Sequence, residues 1–198
     1  MPFLYRFGVA LVRLWCKLKG CHISGRENIP AEGALLIIAN HTSYADPILL
    51  AVAFPRHITF IAKEEFLRKS FTHWLYGAGL GAVFLNKDES DISALRAAIR
   101  LMKDGRAVGI FPEGHRNFDQ NISEFKSGAV FIALKAGVSV LPVAIRNSRD
   151  LPRLVSRSIT VNIGKPIKLD PSLKITPENL AAQAELFRQK VAELYGSI

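Results

Sequence analysis

The residues most able to do chemistry lie in the segment NHTSYAD, which spans residues 40–46. His41 is the only one of the five histidines with an aspartate, Asp46, five positions later. A neutral imidazole has a pKa of about 6.5 in model peptides and can take a proton from a hydroxyl group at neutral pH. A carboxylate beside it would fix its tautomer and stabilise its protonated form. The pair therefore indicates general-base chemistry in which a substrate supplies its own hydroxyl.

Asp46 also has a purely structural interpretation. Residues five apart on a regular helix point about 140° away from each other, so the two side chains can meet only if a turn separates them. Asp46 precedes Pro47, which suggests such a turn followed by the start of a helix. Asp46 could thus be the N-cap of that helix, a partner of His41, or both.

A second segment, FPEGHR at residues 111–116, offers groups suited to binding an anion. Gly114 lets a ligand approach the backbone closely, and Arg116 can bind phosphate through two parallel hydrogen bonds. Glu113 could pair with Arg116 or contact a substrate, and His115 is a second candidate base. Taken alone, Arg116 would be interpreted as a surface residue in a turn. Together with the base of the first segment, it indicates an anion site beside a catalytic histidine.

Two lysines occupy comparable positions at the ends of predicted strands. Lys63 ends the apolar run ITFIA (58–62), and Lys87 follows AVFL (82–85). The carboxyl ends of parallel strands meet at one edge of a sheet, where ligands bind. Each lysine taken alone is more often solvated, but together with Arg116 the two could converge at this edge.

The elements that must position these residues alternate between strands and helices. Apolar runs predict strands at residues 34–39, 58–62, 82–85, 107–111, 138–145 and 158–163. Helices are predicted from about residue 47, at 64–76, 90–103 and 126–136, and from about residue 177. The buried face of the helix at 90–103 is predicted to contain Ile92, Leu95, Ile99 and Met102. The alternation predicts a single three-layer α/β domain over residues 21–198, with a largely parallel mixed sheet flanked by helices.

The composition limits the class of protein. The 198 residues suffice for one domain, and no run of 18 uncharged apolar residues predicts a transmembrane helix, although 49% of the residues are hydrophobic. The net charge of +9 suggests an anionic partner. The aromatic residues follow apolar core patterns, which disfavours nucleic acid. Cys16 and Cys21 fit a reducing compartment, and their spacing with His22 matches no zinc template, so no metal is predicted.

Residues 1–20 predict an amphipathic helix at a membrane interface. Arg6, Arg13 and Lys17 fall on one helical stripe surrounded by apolar residues. We expect this stripe to lie among lipid phosphates and Trp15 to lie at the level of the headgroups. A helix packed on the domain and a signal peptide are the alternatives. Charges interrupt the apolar run and no small-residue cleavage site follows it, which disfavours the signal peptide.

Four ordered blocks, spread over roughly residues 20–170, resemble the glycerolipid acyltransferase family, in particular its bacterial 1-acylglycerol-3-phosphate acyltransferases. The blocks are NHTSYAD (40–46) for NHxxxxD, GAVFLNK (81–87), FPEGHR (111–116) for FPEGTR, and LPVAI (141–145). IAKEE (61–65) resembles a lysine-bearing segment between the first two blocks. Lys87 stands where arginine is usual, and His115 stands where threonine or serine is usual. Both changes keep the implied reaction class and leave the exact acceptor open.

The resemblance implies transfer of a fatty acyl group from acyl-CoA or acyl-carrier protein to the sn-2 hydroxyl of lysophosphatidic acid. The product would be phosphatidic acid, a precursor in phospholipid biosynthesis. His41 would remove the hydroxyl proton with Asp46 orienting it, and Arg116, supported by Lys63 and Lys87, would hold the acceptor phosphate. The backbone near Gly114 would steady the oxyanion. Neither a metal nor a cofactor is implied, since the thioester is a substrate.

Charge and the N-terminal helix predict a peripheral or monotopic protein on the cytoplasmic face of the inner membrane, attracted to anionic lipids. An acidic acyl-carrier protein would be attracted as well, so the donor stays open. Three alternatives to the main prediction remain. The acceptor could be glycerol 3-phosphate, another lysophospholipid or an acylated amino acid. The same base could activate water in an acyl-thioester hydrolase, or the chain could be a non-catalytic basic binding module.

Overall fold

Strands and helices alternate along the chain. The structure, a computed structural model, describes residues 3–63, 83–85, 91–118, 121–153 and 158–197. The described helices are α1 (Phe3–Leu18), α2 (Asp46–Ala53), α3 (Asp91–Lys103), α4 (Gly128–Ala136) and α5 (Pro177–Gly196). The described strands are β1 (His22–Ser24), β2 (Leu35–Ala39), β3 (Ile58–Lys63), β4 (Val83–Leu85), β5 (Ala107–Ile110), β6 (Ser139–Arg146) and β7 (Thr160–Ile163).

β2 lies inside a mostly parallel sheet. The described strands follow the order β1-β7-β6-β2-β5-β3-β4. Their pairings are parallel except that of β6 with β7, which is antiparallel. β2 pairs with β5 on one side and with β6 on the other, so the segments that follow these three strands emerge at the same edge. The predicted α/β fold with a largely parallel mixed sheet is confirmed.

Every residue of β2 is buried because helices cover both faces of the sheet. Side chains of a strand alternate between the two faces. Ile38 belongs to an apolar cluster that includes Val130 of α4 and Phe187 of α5. Ile37 belongs to a second cluster that includes Leu50 of α2. The end of β2 is therefore held by packing on both sides, which gives the following segment a rigid starting point.

The boundaries of the predicted elements mostly differ from the observed ones by one to two residues. The structure adds β1, a three-residue strand that the apolar runs did not predict. The predicted helix at 64–76 lies outside the described residues. Ile92, predicted to be buried on α3, is 56% exposed, because the buried side of α3 is centred further along the helix on Ala98 and Met102.

α1 has two apolar sides. Tyr5 and Cys16 on one side are buried, and Val9 and Val12 pack against the same core. The other side exposes Phe7, Leu11, Leu14 and Leu18. α1 is therefore packed on the domain while it presents an apolar surface outward. Among the described residues, no helix combines the length and apolar character needed to cross a bilayer.

Three side chains near the end of α1 bind backbone carbonyl groups of the domain. The bonds run from Arg13 Nη2 to the oxygen of Val52 (3.1 Å), from Trp15 Nε1 to that of Leu151 (2.8 Å), and from Lys19 Nζ to that of Asp150 (3.1 Å). The sequence predicted Arg13 among lipid phosphates, but one of its N–H groups binds the domain instead. Two of the three acceptors lie in the segment that follows β6.

Candidate active site

Asn40 fixes the point at which the chain leaves β2. We call residues 40–45, between β2 and α2, the His41 loop. The buried carboxamide of Asn40 donates to the oxygen of Ile145 at 2.9 Å and accepts from the Ile145 amide at 2.8 Å. It thereby extends the pairing of β2 with β6 by one step, in the manner of a backbone peptide group.

Asp46 is fully buried and gathers the His41 loop around one carboxylate oxygen. Its Oδ2 accepts hydrogen bonds from the amides of Thr42 at 2.7 Å and Ser43 at 2.8 Å, and it lies 2.8 Å from His41 Nδ1. The N-cap of α2 is Ala45, so the interpretation of Asp46 as the N-cap is wrong. Its side chain turns back to the loop, and this turn brings it to the histidine.

The imidazole of His41 has a fixed orientation and an accessible edge. Because the Asp46 carboxylate accepts at Nδ1, the neutral ring carries its proton on that nitrogen and presents the lone pair of Nε2, as a general base requires. The ring stacks on Phe111 with centroids 4.0 Å apart and planes 17° apart. The side chain is 18% exposed. The backbone oxygen of His41 accepts from the amide of Asn117 at 2.8 Å, which joins the loop to the segment after β5.

Glu113 is 2% exposed and binds backbone amides. Its Oε1 accepts from the amide of His41 at 2.7 Å, and its Oε2 accepts from that of Ser123 at 3.2 Å. No ion pair joins Glu113 to Arg116 within the described ranges. Contact of Glu113 with a substrate phosphate stays a prediction, which this burial disfavours.

The turn between Phe111 and Gly114 requires glycine. Gly114 has φ of 73°, and an added Cβ would approach the side chain of Lys126 to 2.7 Å. The Gly114 amide donates to the oxygen of Phe111 at 3.1 Å. It is therefore engaged in the turn, and contact with an oxyanion would need a different donor. His115 is exposed beside this turn.

Arg116 lies against two aromatic rings, one in the His41 loop and one just after its own segment. Its guanidinium carbon is 3.7 Å from the ring centroid of Tyr44 in the His41 loop and 5.9 Å from that of Phe118. A cation over an aromatic face is attracted by the ring. Tyr44 and Phe118 are 54% and 60% exposed. The contact brings the predicted anion-binding residue to the loop that carries the predicted base.

Arg149 approaches the His41 loop from the other side of β2. It lies in a 3-10 turn, Ser148–Asp150, directly after β6. Its Nε donates to the oxygen of Thr42 at 3.1 Å, and its guanidinium carbon is 4.4 Å from the ring centroid of Phe118. A second bond of 2.9 Å joins Ser148 Oγ to Thr42 Oγ1.

Comparison with known proteins identifies the family. A family model described as Acyltransferase matches residues 20–146, a range that contains His41, Asp46 and Arg116. The chain belongs to the acyltransferase family. The resemblance inferred from the ordered sequence blocks is thereby confirmed.

Relatives of this acyltransferase carry a more specific name. The chain is 34% identical over 152 residues to the 1-acyl-sn-glycerol-3-phosphate acyltransferase of Borreliella burgdorferi. This match covers 76% of this chain and 60% of that relative. It is 27% identical over 197 residues to the enzyme of the same name from Bacillus subtilis, covering 96% of each. The crystal structure of PlsC, the 1-acyl-sn-glycerophosphate (LPA) acyltransferase of Thermotoga maritima, matches with a TM-score of 0.70 and 29% identity. That match covers 94% of this chain and 79% of PlsC.

The two strand-end lysines of the acyltransferase are only partly described. Lys63 is the last residue of β3, at the same sheet edge as the ends of β2 and β5 but separated from β2 by β5. Lys87 lies outside the described residues. Their support of Arg116 stays a prediction. Within the described ranges, no group of three His, Cys, Asp or Glu residues could hold a metal ion.

Three residues that shape this site were not singled out from the sequence: Tyr44, Phe118 and Arg149. A signal existed for Arg149, because the strand-end argument that selected Lys63 applies more strongly to β6, the direct neighbour of β2. No comparable signal marked Tyr44 or Phe118. Each is an exposed aromatic residue whose role depends on which arginine folds onto it.

Proposed function

We propose that this acyltransferase moves a fatty acyl group from a thioester to the sn-2 hydroxyl of 1-acylglycerol 3-phosphate, forming phosphatidic acid. The observation that carries the proposal is the 2.8 Å contact between His41 Nδ1 and Asp46 Oδ2, in a loop whose Tyr44 lies against Arg116. A base and a cation joined in this way suit an acceptor that carries both a hydroxyl and a phosphate. The names of the relatives support the same acceptor.

His41 Nε2 takes the proton of the acceptor hydroxyl as its oxygen attacks the thioester carbonyl carbon. The carboxylate of Asp46 stabilises the imidazolium that forms. The tetrahedral intermediate then collapses with cleavage of the carbon–sulfur bond, and the imidazolium returns the proton to the leaving thiolate. The acyl group passes directly between the two substrates.

Arg116 holds the acceptor phosphate. Its planar guanidinium matches two phosphate oxygens, and stacking on Tyr44 limits the directions in which it can point. An acceptor held at its phosphate presents its hydroxyl to the base in a restricted geometry, which lowers the entropic part of the barrier. Lys63 and Lys87 support Arg116 by adding positive charge. CoA and acyl-carrier protein are both anionic, so the net charge of +9 suits either donor.

The exposed apolar side of α1 inserts into the interface of an anionic membrane, so the protein is peripheral on the cytoplasmic face of the inner membrane. Replacing Leu11, Leu14 and Leu18 with serine should reduce co-flotation with phosphatidylglycerol vesicles. The matched control replaces Ile92 and Ile175, which are also exposed but lie outside α1, with serine. Unreduced flotation of the α1 variant would contradict this membrane contact. Deleting residues 1–18 is a poorer test because it also uncovers the core beneath Tyr5 and Cys16.

The activity is tested by incubating detergent-solubilised protein with a long-chain acyl-CoA and following thiol release with and without lysophosphatidic acid. Release that requires the acceptor, with formation of phosphatidic acid, supports the proposal. Release without an acceptor would identify a thioester hydrolase. Equal transfer to a monoacylglycerol that lacks phosphate would contradict the role of Arg116. An acyl-carrier protein donor completes the test if acyl-CoA is not used.

A further inference from the structure

We propose that Arg149 is a second ligand of the acceptor phosphate and that, with Arg116, it makes the site select a phosphate monoester over a phosphodiester. The inference rests on the proposed function, because it concerns the acceptor of the same site. It assigns a binding role to a residue outside the four sequence blocks.

The sheet places the two arginines on opposite sides of the catalytic loop. β2 leads to His41, while its two parallel neighbours, β5 and β6, lead to Arg116 and Arg149 respectively. Because the three strands run in the same direction, the segments after them leave the sheet at one edge. The base therefore lies between two cationic segments.

The side chain of Arg149 is fixed but not fully hydrogen-bonded. Its Nε donates to the oxygen of Thr42, the residue after the base. Its Nη2 is buried and has no hydrogen-bond partner within the described ranges. Buried donors nearly always have a partner, and a guanidinium cannot lose its proton to avoid the cost. Arg149 Nη2 thus has an N–H group beside the catalytic loop that can donate a hydrogen bond to an acceptor atom of a ligand.

Both cations lie against the ring of Phe118. The guanidinium carbons of Arg149 and Arg116 lie 4.4 Å and 5.9 Å from the centroid of this one ring. None of the ion pairs among the described residues involves Arg116 or Arg149. The carboxylates of Asp46 and Glu113 bind backbone amides of the loop instead.

Two guanidinium groups match the charge of a phosphate monoester. The second pKa of such a group is about 6, so at neutral pH it carries nearly two negative charges. A phosphodiester carries one negative charge and has one fewer terminal oxygen to accept hydrogen bonds. A site with one arginine could hold either headgroup, whereas a site with two gains more from the monoester.

The variant Arg149→Gln tests this role by kinetics. We expect the KM for lysophosphatidic acid to rise at least about tenfold, as for loss of a charge-assisted hydrogen bond, with a smaller change in kcat and an unchanged donor KM. Arg149→Lys keeps the positive charge but loses the planar guanidinium. Its KM for lysophosphatidic acid should lie between that of the unmodified protein and that of Arg149→Gln. A rise confined to the donor KM would place Arg149 on the donor's phosphates and overturn the proposal.

Two controls separate binding from loop positioning. Ser148→Ala removes the other bond between this turn and Thr42 without changing charge. Arg153→Gln removes one positive charge from the end of the same segment, where Arg153 is exposed and paired with Asp150. Both should leave the acceptor KM near that of the unmodified protein. If Arg149→Gln lowers only kcat, as a displaced loop would, the proposal is wrong.

Direct binding keeps the inference separate from the activity. Calorimetric titration of the full chain in detergent should show that lysophosphatidic acid binds more tightly than lysophosphatidylglycerol, a diester. Arg149→Gln should weaken the first interaction and reduce the difference. Binding of lysophosphatidic acid unchanged by Arg149→Gln would overturn the inference even if acyl transfer is observed. Tight, Arg149-dependent binding without acyl transfer would support the inference and contradict the proposed function.

Discussion

Glu113 Oε1 accepts a hydrogen bond from the backbone amide of His41 at 2.7 Å, across a separation of 72 residues. An acidic side chain from the predicted anion-binding segment therefore positions the predicted base. Its second oxygen binds the Ser123 amide, so the carboxylate joins three parts of the chain at the edge of the sheet. The two sequence segments form one structural unit.

Replacing Glu113 with glutamine should lower kcat about tenfold or more and leave the acceptor KM little changed. A carboxamide offers one acceptor oxygen where two amides donate, and its own NH₂ would face one of them, at a cost of about 1–3 kcal/mol. Steady-state kinetics and urea unfolding measure the two effects. Glu124→Gln, at an exposed glutamate nearby, is the control. A raised acceptor KM with normal kcat would instead restore Glu113 as a substrate ligand.

Replacing His41 with alanine should lower kcat by a factor of about 10² or more, since general-base catalysis contributes about that much. His115→Ala should keep most of the activity, because His115 is exposed and no carboxylate bond to it is observed within the described ranges. Single-turnover acyl transfer in detergent compares the two variants. The assignment of the base would be reversed if His115→Ala were the more damaging change.

Asp46→Asn should lower kcat by about tenfold to 10²-fold, less than His41→Ala. The amides of Thr42 and Ser43 require an oxygen at the Oδ2 position, so the new NH₂ must take the place of Oδ1, which is buried without a partner among the described residues. The tautomer of His41 is then kept, while the negative charge is lost and the buried NH₂ lacks an acceptor among the described residues. Loss of activity as deep as that of His41→Ala would indicate an inverted tautomer. The measurement compares kcat of Asp46→Asn with kcat of His41→Ala, with both variants purified and assayed in the same way.

Tyr44→Ala should raise the acceptor KM about twofold to fivefold, because exposed cation–π contacts contribute about 0.5–1 kcal/mol. Tyr44→Phe keeps the ring and should have little effect. Arg116→Ala should raise the acceptor KM more strongly, and adding Tyr44→Ala to it should change little, since the second substitution then removes a contact that is already lost. Additive effects in this cycle would show that Tyr44 acts independently of Arg116.

Burial raises the pKa of the Cys16 thiol to about 12, so little of the reactive thiolate is present at pH 8. In a Cys21→Ser background, iodoacetamide should label Cys16 slowly in the folded protein and rapidly in urea. We expect the protection to persist on phosphatidylglycerol vesicles, because the side of α1 that carries Cys16 faces the domain. Rapid labelling on vesicles would show that α1 separates from the domain at the membrane.

The sequence predicted the alternation of elements because β2 and its neighbours are buried on both faces and read as short apolar runs. β1 escaped detection because three residues are too few to show a period. Ile92 was misplaced because helical periodicity identifies a side of a helix but not how far the core extends along it.

Motif spacing predicted the contact between His41 and Asp46 but not the means by which it is achieved. The turn depends on hydrogen bonds from the amides of Thr42 and Ser43 to the aspartate. Residue types do not reveal such bonds, because every residue except proline carries the same backbone amide. The role of Glu113 was hidden for the same reason, since its partners are main-chain groups. Arg149 was overlooked because its importance comes from the adjacency of β6 and β2, which is a property of the sheet order.

His41 is held through both of its peptide groups, by Glu113 at the nitrogen and by Asn117 at the oxygen. Neither bond involves the imidazole. The side chain at residue 41 can therefore change while these two backbone hydrogen bonds are kept. An inactive His41 variant should consequently keep the backbone conformation of the His41 loop. Such a variant is suited to binding both substrates at once without turnover.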